Sequence, residues 1–193
     1  MRTFCFTLLL AIVFPCALHG EDLIPGIVTF DPPPFLNGGT SGRGSDDLFS
    51  GTGEVRQYSA ADNDIRTSQR RLHVNVRAVG FSIGDGKVVT YHQLDDKALR
   101  GWMQAVMDSN RNATNIARVA DAKVGGQPAL VASYQVAQWA WPKEPGALFP
   151  IEVYWVRIQT NRVVEIELIA DTPKHLETLR PCLGNFSIKR KDG

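Results

Sequence analysis

Apolar side chains recur at every second residue in run after run of this chain, and short polar or glycine-rich turns separate the runs. Leu72, Val74, Val76 and Ala78 alternate with His73, Asn75, Arg77 and Val79, and Val164, Ile166, Leu168 and Ala170 alternate with Glu165 and Glu167. A period of two sends successive side chains to opposite faces, so each run predicts a half-buried strand with one dry and one wet side. The turns say how the strands meet. Gly125-Gly126 joins Ala120–Val124 to Ala129–Val136, and Gln159-Thr160-Asn161 joins Ile151–Ile158 to Arg162–Ala170. Gly84-Asp85-Gly86 precedes a strand over Lys87–Tyr91 that is expected to hairpin with Leu72–Val79. Connections this short bring neighbouring strands together antiparallel.

Two segments break the period. Leu99, Trp102, Met103, Val106 and Met107 fall on one stripe of a helix, with Asp95 or Asp96 placed to accept a bond from a free N–H of its first turn. Thr172-Pro173 opens a second, shorter helix. Thr172 is its cap, and Pro173 sits where a missing N–H costs nothing. Leu176 and Leu179 form its buried side, Pro181 stops it, and Phe186 and Ile188 suggest a closing strand. The order is β-β-α-β-β-β-β-α-β, and the expected fold class is α+β, a mostly antiparallel sheet flanked by two helices.

Residues 21–53 read as a flexible Pro/Gly/Ser-rich linker. Asp31-Pro32-Pro33-Pro34 favours extended polyproline geometry, and Asn37 to Ser45 is nearly devoid of core formers, so little burial offsets the ordering entropy. Ahead of it, Arg2 and an apolar run from Phe4 to Leu18 lead through Gly20 into Glu21-Asp22. That is the pattern of a secretory signal peptide, with cleavage placed after Gly20. The run is shorter than the roughly 20 residues a membrane span needs. A lipoprotein reading would acylate Cys16, but Val13-Phe14-Pro15 lacks the small residue expected before it. The expected organisation is a signal at 1–20, a linker at 21–53 and a single domain at 54–193. The expected destination is periplasmic, lumenal or extracellular, with no membrane span after cleavage.

Of three cysteines, Cys182 alone lies beyond the signal, so neither an internal disulfide nor a CxxC zinc site is available to the exported chain. Its place between Pro181 and Leu183 suggests a buried thiol. Lys and Arg number 21 against 20 Asp and Glu, and that balance disfavours nucleic acid, which rewards a basic surplus.

The segment Val124 to Leu130 leading to a strand around Tyr134, the late hairpin, Asp171-Thr172-Pro173 and the ending Asn185-Phe186-Ser187-Ile188 together resemble the PsbP-like α/β/α sandwich family, over roughly residues 72–189. The resemblance implies a non-enzymatic exported or lumenal accessory protein that binds a larger assembly. The calcium and chloride roles of its photosynthetic members find no matching ligand set here.

Candidate chemistry is sparse. His73 and His92 would make an acid/base or metal pair with a carboxylate such as Asp95 only if their strands paired. His175 is early in a helix, two turns from Cys182. Asp62-Asn63-Asp64 lacks the rest of a calcium loop. No GxSxG occurs, and the Gly42 and Gly51 GxG runs open no helix. Asn112-Ala113-Thr114 and Asn185-Phe186-Ser187 fit the glycosylation pattern. The best candidate is the loop Gln138 to Pro150, whose Trp139, Trp141, Lys143 and Phe149 on a proline-stiffened backbone suit contact with a partner or ligand.

Three functions stay open. One is an exported non-enzymatic accessory or binding domain, with a protein partner in the envelope or extracellular space. The second is an exported hydrolase using a histidine with nearby carboxylates. The third is an apolar small-molecule or lipid-binding protein whose cleft lies between sheet and long helix. No cofactor is implied, and the oligomeric state is not set by the sequence.

Overall fold

The computed structural model describes residues 20–43, 54–60, 70–85, 87–137 and 148–190. The chain begins with β1 (Glu21–Ile24), β2 (Val28–Phe30), β3 (Leu36–Arg43), β4 (Glu54–Ala60) and β5 (Arg70–Ala78), followed by a hairpin of β6 (Phe81–Gly84) and β7 (Lys87–Tyr91). Helix α1 (Asp96–Asp108) precedes β8 (Ala113–Thr114), β9 (Ala120–Val124), β10 (Gln127–Ala137), β11 (Leu148–Gln159) and β12 (Arg162–Ala170). Helix α2 (Pro173–Leu179), a 3-10 turn (Arg180–Asn185) and β13 (Phe186–Ile188) complete it.

An eight-stranded sheet runs β3-β4-β5-β12-β11-β10-β8, with β9 added alongside β10. Its pairings are all antiparallel. A second sheet, β1-β2-β13, packs on one side of it. The protein is therefore sheet-rich, with thirteen strands and two α-helices among the described residues. That corrects the expectation of an α+β sandwich flanked by two helices. The layer over one face is largely another sheet.

Alternation divides the large sheet into a closed and an open face. The closed face carries Leu72, Val74, Tyr154, Val156, Val164, Ile166 and Leu168. The small sheet, α2 and the 3-10 turn seal it with Leu23, Phe30, Leu176, Leu179 and Phe186. Each fully buried large side chain of this kind contributes about 1.5–3 kcal/mol. The closed face also holds Glu152, the one charged residue in the buried class among those described. Its carboxylate takes Arg180 Nη2 at 2.7 Å and the Tyr154 hydroxyl at 2.7 Å, tying the 3-10 turn to β11.

The linker expectation for residues 21–53 fails over 21–43, which form β1, β2 and β3. Leu23, Val28, Phe30 and Leu36 are buried. Phe30 stacks on Phe186 at 4.3 Å and meets Tyr58 edge-on at 4.9 Å. The prolines make a corner between the two sheets, where the Leu36 N–H donates to the Pro33 carbonyl at 2.8 Å. Few core formers are needed in β3, because it pairs through backbone bonds at the sheet's edge. Residues 1–19, on which the signal expectation falls, lie outside the described residues.

The expected hairpin between Leu72–Val79 and Lys87–Tyr91 is also corrected. β5 lies between β4 and β12, and β7 pairs with β6. Gly80 turns the chain out of the sheet at φ +69°, and a Cβ there would sit 2.6 Å from the His92 carbonyl. A side chain is thus excluded where the hairpin departs.

Candidate ligand-binding cleft

The open face is covered by α1. Asp95 caps the helix by accepting the Ala98 N–H at 2.7 Å, and Leu99, Met103 and Met107 pack onto Leu130, Ala132, Val153 and Trp155. Three polar side chains fix its position. Arg157 reaches from the sheet to the Leu94 carbonyl at 2.6 Å. Arg100 donates to the Val119 carbonyl at 2.9 Å and pairs with Asp121. Gln104 accepts the Val119 N–H at 2.9 Å.

Beside the C-terminal half of α1 lies a cavity of about 400 Å³. The helix supplies Trp102, Val106 and Met107 to its wall, and Phe81 of β6 stands 6.0 Å from Trp102, ring centre to ring centre. Val153 supplies apolar floor, and Arg77, Tyr134, Glu165 and Glu167 supply polar floor. A second cavity of about 200 Å³ lies at the other sheet, near Leu23, Ile27 and Ile158. Small-molecule sites run from about 300 to 1,000 Å³, so the first is of ligand size and the second is below it.

The polar floor consists of two linked groups. Arg77 Nη2 donates to Glu165 at 3.0 Å, its Nε lies 2.7 Å from the other oxygen as an ion pair without hydrogen-bond geometry, and Trp155 Nε1 donates to the same carboxylate at 2.7 Å. Tyr134 donates its hydroxyl to Glu167 at 3.1 Å, and His73 Nδ1 lies 3.2 Å from the other Glu167 oxygen. Burial raises the Tyr134 pKa, and the charges of Glu167 and Glu165 raise it further, while Arg77 acts the other way. The phenol therefore stays a donor at any physiological pH.

The sequence placed His73, Glu165 and Glu167 on a wet face. Instead their side chains are 19, 14 and 27 % exposed. The cross-strand register sets His73 directly opposite Glu167, and α1 closes over part of the row. The signal was present as two acids spaced for one strand face. Their partners come from three other strands, His73 and Arg77 from β5, Tyr134 from β10 and Trp155 from β11.

Other sequence candidates disperse. His92 meets Ser82 Oγ at 3.1 Å beside the hairpin, while His73 sits in the sheet, so the two histidines do not form one site. His175 Nδ1 lies 2.6 Å from Asp171, an arrangement at the start of α2. Cys182 is free and buried. Trp139, Trp141 and Lys143 lie outside the described residues, as do Asp62, Asn63 and Asp64. Phe149 belongs to β11 rather than to a loop, opposite Val136 and half-buried.

The cleft has the makings of a binding site and lacks a poised nucleophile among the described residues that line it. Ser109 is at its edge, and its hydroxyl donates to the Val106 carbonyl at 2.8 Å. No group of His, Cys, Asp and Glu suited to a metal ion occurs among the described residues, and no described helix is long and apolar enough to cross a membrane. No protein-family model, curated protein or solved structure matches this chain.

Proposed function

We propose that this protein is an exported binding domain that holds a small amphipathic molecule in the cleft between α1 and the open face of the large sheet. The observation that carries the reading is the combination of ligand-sized volume, aromatic and aliphatic walls and a fixed polar floor in one cavity. Ligand sites combine apolar walls with a few placed polar groups in this way. The pattern of residues 1–20 supports export.

The test is thermal melting of the purified protein against a panel of amphipathic small molecules. A ligand at a hundred times its Kd stabilises by about 2.7 kcal/mol, which raises Tm by several degrees. The Trp102→Ala variant, stripped of one wall of the cleft, is expected to lose most of that gain. A panel that leaves the wild-type Tm unchanged, or a gain that Trp102→Ala retains in full, removes the cleft as the site.

A further inference from the structure

We infer that the ligand of this cleft carries a cationic head, an ammonium or amidinium group, which seats at Glu167 with its apolar body against Trp102 and Phe81. The inference rests on the reading of the cleft as a ligand site and goes on to name the charge of its occupant.

The argument is a charge count around one cavity. Its wall from α1 and the turn that follows brings no charge: Trp102, Val106, Met107, Ser109 and Asn110 are all neutral. Phe81 and Val153 bring none. The floor brings two carboxylates and one guanidinium. That guanidinium is engaged with Glu165 through a hydrogen bond from Nη2 and an ion pair, with the two side chains 16 and 14 % exposed. Such pairs are strong and directional, so Glu165 is already neutralised by its own partner.

Glu167 is in a different position. It accepts the Tyr134 hydroxyl and has His73 Nδ1 3.2 Å away, and neither an arginine nor a lysine among the cavity-lining residues is bonded to it. Arg71 lies two pairs further along the sheet, opposite Ile169, and does not line the cavity. The acids and arginines that line the cavity, two glutamates and one arginine, thus leave one carboxylate in excess, and Glu167 is the one without an arginine among them.

An ammonium or amidinium head supplies the missing charge. It bonds to a carboxylate more strongly than a neutral donor does, and the faces of Trp102 and Phe81 attract a cation in addition. A carboxylate head would meet two carboxylates and an arginine already engaged. The occupant is thus an aryl or alkyl amine rather than a fatty acid.

Calorimetry at neutral pH with phenylbutylamine, phenylbutanol and phenylbutyrate tests this, since the three share a body and differ in head charge. The amine is expected to bind about tenfold tighter than the alcohol, the step that one charge-assisted bond of about 1.4 kcal/mol gives. Phenylbutyrate is expected to be weakest. Glu167→Gln keeps an acceptor for Tyr134 and is expected to abolish the tenfold preference for the amine over the alcohol. If wild-type protein binds alcohol and amine equally, or prefers the carboxylate, the cationic head is refuted while the cleft remains a ligand site. That comparison needs no variant to fold. An amine preference that persists in Glu167→Gln also overturns the assignment. If none of the three binds and the broader panel leaves Tm unmoved, the cleft reading fails and the inference fails with it.

Discussion

The two faces of the large sheet are built from the same alternating strands, yet they are finished differently. The closed face is covered by a second sheet, α2 and a 3-10 turn, and its one charged residue of the buried class among those described, Glu152, is bonded by Arg180 and Tyr154. The open face is covered by one helix, which stands over it tightly at Leu99 and Met103 and leaves space beside Trp102 and Val106. There the strands present Arg77, Glu165, Glu167 and Tyr134 instead of more aliphatic side chains. Polar groups beneath a partial cover gain little stability, because burying them costs desolvation that their bonds only offset. The closed face carries the larger apolar core, and the open face carries the ligand-sized cavity.

The largest expected effect separates these roles. Phe30 is fully buried between Phe186 and Tyr58, and Phe30→Ala is expected to cost about 3–5 kcal/mol in urea unfolding. Trp102→Ala, on the half-covered helix flank, is expected to cost about 1 kcal/mol while removing ligand-induced stabilisation. A Phe30→Ala loss under about 1 kcal/mol would mean that the first strands merely decorate the domain, as the linker reading had it.

That reading shows what the sequence could and could not display. The strands expected at Ala120–Val124, Ala129–Val136 and Arg162–Ala170, a cap at Asp95 or Asp96 and the Thr172-Pro173 helix start are all local signals; the middle strand runs slightly longer, Gln127–Ala137, and Asp95 is the cap. The N-terminal strands were hidden because β1 and β2 are four and three residues long, too short for alternation to register, and because proline and glycine dominate their surroundings. Val28 and Phe30 make sense only against β13, more than 150 residues away in sequence. The cleft was hidden for a similar reason. The apolar stripe of α1 announced a helix packed on the sheet, but His73 and Glu167 become neighbours through the β5–β12 pairing, which no local pattern encodes. The aromatic loop drew attention by composition alone, and of its four named residues Phe149 is the one described, as part of a strand.

A smaller effect sharpens the closed side. The Glu152 side chain is 10 % exposed, whereas that of Arg180 is 48 % exposed. Removing the arginine therefore strands a buried charge, while removing the acid leaves the arginine free to turn to water. Arg180→Ala is expected to cost about 3 kcal/mol, and adding Glu152→Gln to it is expected to restore part of the loss. Equal destabilisation by the single and double variants in denaturant unfolding would show that packing by the Arg180 stem, rather than its charge, holds the turn.

The smallest effect concerns how dry the closed face is. Burial pushes the Cys182 thiol up to about 11. In the unfolded chain a thiol ionises near 8.5, by its ordinary value of about that size. Between those two values the unfolded state has released a proton that the folded state still holds. The contribution is thus fully present below the unfolded value and is lost as pH rises through the folded one. Tyr58 and Tyr154 on the closed face and Tyr134 on the open face are also raised, chiefly by burial, so they extend the decline at still higher pH. Denaturation midpoints are expected to fall from about pH 9 to about pH 11, and Cys182→Ala is expected to flatten that segment while leaving the tyrosine part in place. The same burial predicts that a thiol reagent at neutral pH labels Cys182 only as fast as the protein opens. Acrylamide, by contrast, should quench the half-covered Trp102 in the folded state. Labelling of native Cys182 at the rate of a free thiol would place water within the closed face and erase the distinction between the two sides of the sheet.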